Sequence, residues 1–251
     1  EILSRLKDEY DIILKVVHIN HNIRGDEALR DQKLVEEYCR RIGVDCLVYS
    51  VDIPTLSKEM GIGEEECGRI KRYECFDNAG CDAVATAHSL SDSIETMIFN
   101  LIRGTGVKGL CGIPPRRDNI IRPLIDCTRK EIEAYCGENN IPYVTDSTNL
   151  TDDYTRNFIR HNIVASFGKI NENYESAISS AMETLRTENV FMENSKEEIL
   201  ELADCENTYK TSVLISADSA VRRRVIAEIL GRYMKKNTEK RHIDLVDNAV
   251  L

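Results

Sequence analysis

The sequence predicts an α/β fold, a parallel sheet wrapped on both faces by helices, followed by a smaller all-α region. Three observations predict it. Short β-branched runs alternate with helix-length periodic stretches through the first hundred residues. Polar clusters stand at the carboxyl ends of two predicted strands, where ligands sit in such sheets. From about residue 170 onward the pattern is helical throughout.

"DIILKVVHIN" reads as the first strand. "DEALRDQKLVEEYCRRIG" follows as a helix, with Leu34, Val35, Tyr38 and Ile42 at helical spacing and Gly43 as its stop. "VDCLVYSVDI" is a second strand, and "GEEECGRIKRYECFDNAG" a helix whose acidic first turn suits the positive end of the helix dipole. "CDAVATAH" is a third strand, with a helix from about Asp92 to Ile102 after it. "RGTGVKGLCGIPPRRDN", rich in Gly and Pro, predicts loop. "CTRKEIEAYCGENN" predicts a helix with Thr128 as N-cap and Glu131 as its capping-box partner. "VTDSTNLTDDYTRNFIRHNIVASFG" opens on cap-forming residues and turns helical. Tyr174, Ile178, Met182 and Leu185 then form one apolar stripe. A boundary near Gly168 divides the chain into an expected nucleotide-binding domain, 1–168, and a helical domain, 169–251.

The composition bounds the function. With 251 residues, 42% of them hydrophobic and 30% charged, the chain suits a soluble globular protein. No apolar run is long enough to span a membrane, and the N-terminus has no signal-peptide pattern. The nine cysteines are odd in number and show no CxxC spacing, which argues against a zinc ribbon, an iron–sulfur site or a disulfide framework. They predict reduced thiols in a cytoplasm. A net charge of −10 disfavours indiscriminate nucleic-acid binding. The charge is nonetheless segregated: residues 172–206 carry ten acids and two bases, whereas 222–241 carry eight bases and two acids. Those bases are Arg222, Arg223, Arg224, Arg232, Lys235, Lys236, Lys240 and Arg241.

Several constellations carry two readings each. In "AHSLSDSIET", His88, Asp92 and Glu95 fall at spacings of four and three, which bring them toward one side of a helix. They read as a helix start capped by Ser89 or Ser91, as a metal site, or as two carboxylates that hold an ammonium group beside an imidazole. "HINHNIRG" sets His18, Asn20, His21 and Arg24 at a strand end, as a satisfied turn or as an edge for a nucleotide. "RGTGVKGL" is a helix stop at Gly104 or an anion-wrapping loop. Arg156 and Arg160 in "YTRNFIR" lie one turn apart, as a solvated face or a phosphate-facing pair. There is no GxGxxG after a strand and no GxxxxGK[ST].

Taken in order, "HINHNIRGDEALRDQKLVEEYC", "EEECGRIKRYECF", "ATAHSLSDSIETMIFNLIRGTGVKGLCGIPP", "IIRPLIDCTRKEIEAYC" and "IPYVTDSTNLTDDYTRNFIRHNI" resemble the tRNA(Ile)-lysidine synthetase family. The similarity runs from about residue 14 to 166. It implies a Rossmann-like sheet of the ATP-pyrophosphatase (PP-loop) type and a tRNA-modifying ligase that uses ATP and Mg²⁺. The wobble cytidine of an isoleucine tRNA is adenylated, and the amine of free lysine attacks to give lysidine. The resemblance implies catalytic roles for His88, Asp92 and Glu95, with Asp92 and Glu95 on the lysine and Asp92 on Mg²⁺. It implies ATP contacts at His18, Asn20, His21, Arg24, Arg103, Gly104, Thr105 and Gly106. Contacts with tRNA are expected at Arg69, Arg72, Arg156, Arg160, Arg222, Arg223 and Arg224, and a homodimer is the expected assembly. Two features depart from the family's pattern. Its SGGxDS loop, which holds pyrophosphate, is not among these residues, and the polypeptide without that loop is expected not to adenylate. The expected "AHHxDD" reads "AHSLSD", with Ser89 and Ser91 in place of His and Asp. Family members can also carry a further C-terminal domain beyond the point where this chain stops. Two alternatives stand beside this reading: a tRNA cytidine thiolase of the same fold, and a non-catalytic tRNA-binding module.

Overall fold

The computed structural model of the protein describes residues 1–144, 155–206, 208–234 and 238–251. They form two compact units, Glu1–Ser93 with Pro114–His161, and Ile94–Ile113 with Asn162–Leu251. In chain order, α1 (Ile2–Leu6) precedes β1 (Lys15–Asn20), α2 (Asp26–Ile42), β2 (Asp45–Ser50), α3 (Ile53–Met60), α4 (Glu64–Asn78), β3 (Val84–Ala85) and α5 (Leu90–Ile102). Next come α6 (Val107–Leu110), β4 (Arg116–Arg117), β5 (Ile120–Ile121) and α7 (Arg129–Glu138). After α8 (Thr155–Phe158), a π-helical stretch Ile159–Val164 and α9 (Ala165–Phe167), the long α10 (Tyr174–Ala203) leads to β6 (Asp204–Cys205) and β7 (Thr208–Tyr209). The chain closes with α11 (Thr211–Ser216), α12 (Ser219–Tyr233) and α13 (Lys240–Val250).

The first unit holds the parallel strands. β1 and β2 pair in parallel from Lys15↔Asp45 to Asn20↔Ser50. The predicted first strand is longer than β1, and Ile13 ahead of it is 92% exposed rather than core. α2 stops at Gly43, whose left-handed φ of 66° lets its N–H reach the carbonyls of Arg40 and Cys39. The predicted second strand ends at Ser50, because Asp52 accepts the Thr55 N–H at 3.2 Å and starts α3, with Pro54 in the first turn. Glu64, Glu65 and Glu66 occupy the first turn of α4, as the dipole favours. β3 pairs in parallel with β5, and β4 pairs antiparallel with β5. The predicted strand "CDAVATAH" is regular only at Val84–Ala85, although Thr86 still donates its N–H to Ile121 at 3.0 Å. Thr128 and Glu131 close the capping box of α7. Ile53, Cys67, Cys75, Leu90, Ile120, Ile125 and Ile159 are buried in this unit, and each large apolar side chain among them contributes about 1.5–3 kcal/mol.

The second unit is helical apart from the β6–β7 hairpin, in which Asp204 faces Tyr209. That hairpin is the departure from the all-helical expectation. Its apolar cluster consists of Leu200, Ala203, Leu214, Val221 and Val225, with Ile199, Val213, Ile229 and Val250 packed against it. Met182, from the predicted stripe on α10, is 1% exposed.

Candidate active site

Two strand ends in the first unit carry the polar groups. At the end of β1, Asn20 is buried, accepts the Asn22 N–H at 3.0 Å and donates to Gln32 at 3.2 Å. Asn22 has a positive φ of 55°, which an Asn tolerates in such a turn. Arg24 is drawn back onto α2, with Asp31 at 3.0 Å and Glu27 at 3.5 Å. Burial pushes the Asp31 carboxyl up, but hydrogen bonds from Arg30 and Arg24 outweigh it and hold the group below its usual value. The imidazoles of His18 and His21 are half-buried, and burial lowers both pKa values, with Arg72 adding to the effect at His21. The His21 ring rests on Gly68 of α4, and its Nδ1 is buried without a hydrogen-bond partner.

The end of β3 leads through Thr86 and His88 into α5. Thr86 Oγ1 lies 2.9 Å from His88 Nδ1, so Nε2 is the ring nitrogen left for a ligand. The Ser89 N–H and hydroxyl both donate to Asp92 Oδ2 at 2.8 Å, a reciprocal cap that starts α5. Ser89 therefore fixes the carboxylate it precedes. The other oxygen, Asp92 Oδ1, accepts from Arg156 at 2.7 Å and lies 3.7 Å from Arg160. Two motifs sixty-four residues apart in sequence thus meet on one carboxylate. Burial lowers the pKa of His88. Asp92 pulls it upward, and Arg122, Arg156 and Arg72 push it further down. The lowered pKa favours the neutral ring, the form able to accept a proton.

The other expected site residues fall elsewhere. Glu95 is 2% exposed and belongs to the second unit, where it acts electrostatically on Tyr174. Arg103, Gly104, Thr105 and Gly106 also belong to the second unit. There the Arg103 guanidinium stacks over Phe99 at 5.1 Å, and Gly104 has a positive φ of 77°. Thr105 folds over Gly109, whose missing Cβ would meet Thr105 Oγ1 at 2.0 Å. Asn100 holds the Gly109 carbonyl at 2.9 Å. "RGTGVKGL" has a structural reason for its third glycine.

Arg69 and Arg72 are exposed on α4. Arg222, Arg223 and Arg224 do not form a free basic face. Arg222 is buried and bonded to Asp247 at 2.7 Å, Arg223 binds Asp244 and Asp247, and Arg224 binds Glu193 at 2.6 Å. Lys235, Lys236 and the "DSTN" segment lie outside the described residues. Among the described residues, no three His, Cys, Asp or Glu side chains form a metal-holding group. Both Asp92 oxygens accept N–H or O–H donors, so a Mg²⁺ at Asp92 would share that carboxylate with Ser89 and Arg156 and take its other ligands from phosphates. Arg122, which spacing did not single out, stands beside His88 and is 6% exposed. The signal was present in "NIIRPLI", where a lone charge interrupts an apolar run.

The PP-loop domain profile matches residues 1–167. A tRNA(Ile)-lysidine synthase of Caldanaerobacter subterraneus subsp. tengcongensis is 35% identical over 248 residues, 95% of this chain and 53% of its own length. One from Clostridium perfringens is 41% identical over 189 residues, covering 73% of this chain and 40% of its own length. The chain therefore spans about half the length of the curated relatives it matches, or less. Among solved structures, the U34-tRNA thiolase NcsA from Methanococcus maripaludis, with its [4Fe-4S] cluster, aligns at a TM-score of 0.57 and 18% identity, covering 73% of this chain and 67% of that one. At that identity the likeness is one of fold. With its parallel strands, its polar strand ends and this match over two thirds of its length, the chain belongs to the PP-loop domain family, and its relatives there are tRNA(Ile)-lysidine synthases.

Proposed function

We propose that the protein is a tRNA-modifying ligase that forms lysidine at the wobble cytidine of an isoleucine tRNA, by ATP-dependent adenylation followed by attack of the amine of free lysine. The observation that carries the proposal is the constellation at the end of β3: His88, its pKa lowered by burial, near Asp92, a carboxylate already turned toward cations. Adenylation makes the base oxygen a leaving group, and the lysine amine must lose a proton before it attacks. His88, held below its ordinary pKa, is suited to take that proton. Asp92 is suited to bind the ammonium group, which would displace the looser Arg160 contact at 3.7 Å. Glu95, three residues on along α5, belongs to the same proposal as a second lysine contact. The half-buried His18 and His21 and the motif at Arg103–Gly106 are proposed for the nucleotide. Any Mg²⁺ would enter with the triphosphate.

Residues 1–168 are proposed as the nucleotide-binding domain and 169–251 as the helical tRNA-binding domain. Contact with tRNA is proposed for exposed Arg69 and Arg72 and for Arg156 and Arg160, whereas Arg222–Arg224 enter chiefly as internal ion pairs. The names of the relatives support the tRNA substrate, and no helix among the described residues is long and apolar enough to cross a membrane. A homodimer completes the proposal, and light scattering tests it. The thiolase alternative draws on the likeness to NcsA.

The test is mass analysis of nucleosides after full-length protein is incubated with ATP, lysine and an isoleucine tRNA bearing a wobble cytidine. Lysidine is the expected product, and its absence sinks the reading. Glu95→Gln is expected to raise the lysine concentration needed for half-maximal rate, with tRNA affinity unchanged. Equal lysine dependence in mutant and parent removes Glu95 from the amine site.

A further inference from the structure

Arg122 follows β5 directly. In the parallel register Val84↔Ile120 and Ala85↔Ile121, it stands at the carboxyl end of that strand, level with Thr86 on β3. This is where open parallel sheets bind ligands. The residue is fixed at two points: its N–H donates to the Pro115 carbonyl at 2.8 Å, and Nη1 donates to the Pro114 carbonyl at 2.7 Å. Among the described residues, its Nε is buried with no hydrogen-bond partner and no carboxylate forms an ion pair with it. A neighbour that acts on it is another cation, Arg117, while the Tyr73 phenol favours its charge. A guanidinium that is 94% buried, pre-positioned and without a counter-charge among the described residues is costly to keep. Structural arginines in this same chain are matched by acids, as Arg222 is by Asp247.

We propose that Arg122 is an anion-binding residue, and that its ligand is a phosphate group of the nucleotide substrate, held beside His88. The choice of phosphate over carboxylate follows from the cations gathered there. Arg72 and Arg122 both act on the His88 ring, and Arg117 acts on Arg122. Such a set suits a ligand with more than one negative charge. The proposal rests on the nucleotide-dependent reading above and adds to it a residue that neither motif spacing nor family resemblance had assigned.

The test uses full-length protein, in buffer free of phosphate and sulfate, with Arg122→Met and Arg122→Lys variants. Thermal unfolding without ligand is measured first. Calorimetric affinities for inorganic pyrophosphate, AMP and free L-lysine follow. Arg122→Met removes a buried charge that pairs with no carboxylate among the described residues, so the expected unfolding temperature is unchanged or higher. Its affinity for pyrophosphate or AMP is expected to fall about tenfold to a hundredfold, with Arg122→Lys in between and lysine binding unaltered. An Arg122→Met protein that unfolds earlier, or fails to fold, overturns the proposal and makes Arg122 structural. Phosphate-ligand affinities within twofold of the parent also overturn it. A fall confined to lysine assigns the site to a carboxylate and overturns the phosphate choice. None of these readouts depends on which nucleoside product forms, so failure of the lysidine reading remains separately visible.

Discussion

Two groups of arginines in this chain look alike in sequence and differ in what surrounds them. In the second unit, Arg222, Arg223 and Arg224 are answered by Asp247, Asp244 and Glu193, and buried Lys196 by Glu193, Glu197 and Glu228. In the first unit, Arg156 and Arg160 share Asp92, while Arg122 pairs with no acid among the described residues and Arg72 acts on the His21 and His88 imidazoles. Matched cations hold helices together. Cations gathered at strand ends form a field that an anionic substrate can enter. A basic stretch is thus a poor guide to nucleic-acid contact until its acids have been found.

The matched group breaks most severely. Arg222 and Asp247 have side chains 8% and 10% exposed, so Arg222→Ala strands a buried carboxylate. It is expected to cost about 3–5 kcal/mol in urea unfolding, whereas replacing both partners by apolar residues of similar volume restores most of the loss. A loss below about 1 kcal/mol would place the pair among ordinary surface contacts. Its pH dependence has a fixed sign. Arg222 lowers the Asp247 pKa, and the Arg223 contact adds to the effect against the opposing influence of burial. The pair's contribution is therefore fully present above the ordinary carboxylate value of 3.8 and is lost as pH falls through the lowered one.

Local signals in the sequence predicted local structure. Gly43 ends α2 in the left-handed conformation its place suggested, and Thr128 with Glu131 forms the expected capping box. The alternation of strands and helices likewise put His18 and His88 near strand ends, and His18 lies within β1 while His88 follows β3 by three residues. What could not be read was pairing across the chain. Asp244 and Asp247 lie on α13, and nothing in the periodicity of 222–224 says that this helix packs against α12. Likewise Arg156 and Arg160 showed the spacing of a phosphate-facing pair, but both reach Asp92. Ser89, which departs from the family's pattern, turns out to hold Asp92 in place, a role visible only once both donors are located.

Arg156→Ala sharpens the contrast at smaller cost. Its side chain is 44% exposed against Asp92 at 22%, so the loss of stability is expected to be at most about 1 kcal/mol. Its effect should appear in binding instead: the salt dependence of tRNA association flattens by about one counterion. Arg160→Ala is expected to act in the same direction. Unchanged slopes in both variants would remove the pair from the RNA interface and leave it as a brace for Asp92.

The smallest effect is the most diagnostic of the field at the strand ends. His88 titrates below its ordinary value of 6.5, chiefly through burial, with Asp92 opposing and three arginines assisting. Asp92→Asn keeps an oxygen that can accept from Ser89 but removes the charge, so NMR titration should find the His88 pKa lower still. Arg156→Ala should raise it. Because the folded pKa is depressed, the stability gained from keeping His88 neutral is fully present above 6.5 and declines as pH falls toward the lowered value. The same neutral ring is the form able to accept a proton, so the acidic limb of any amine-dependent activity should move with it. Asp92→Asn would shift that limb to lower pH and Arg156→Ala to higher. A limb that stays fixed while the His88 resonance moves would assign the proton transfer to another group and leave His88 to position the ligand.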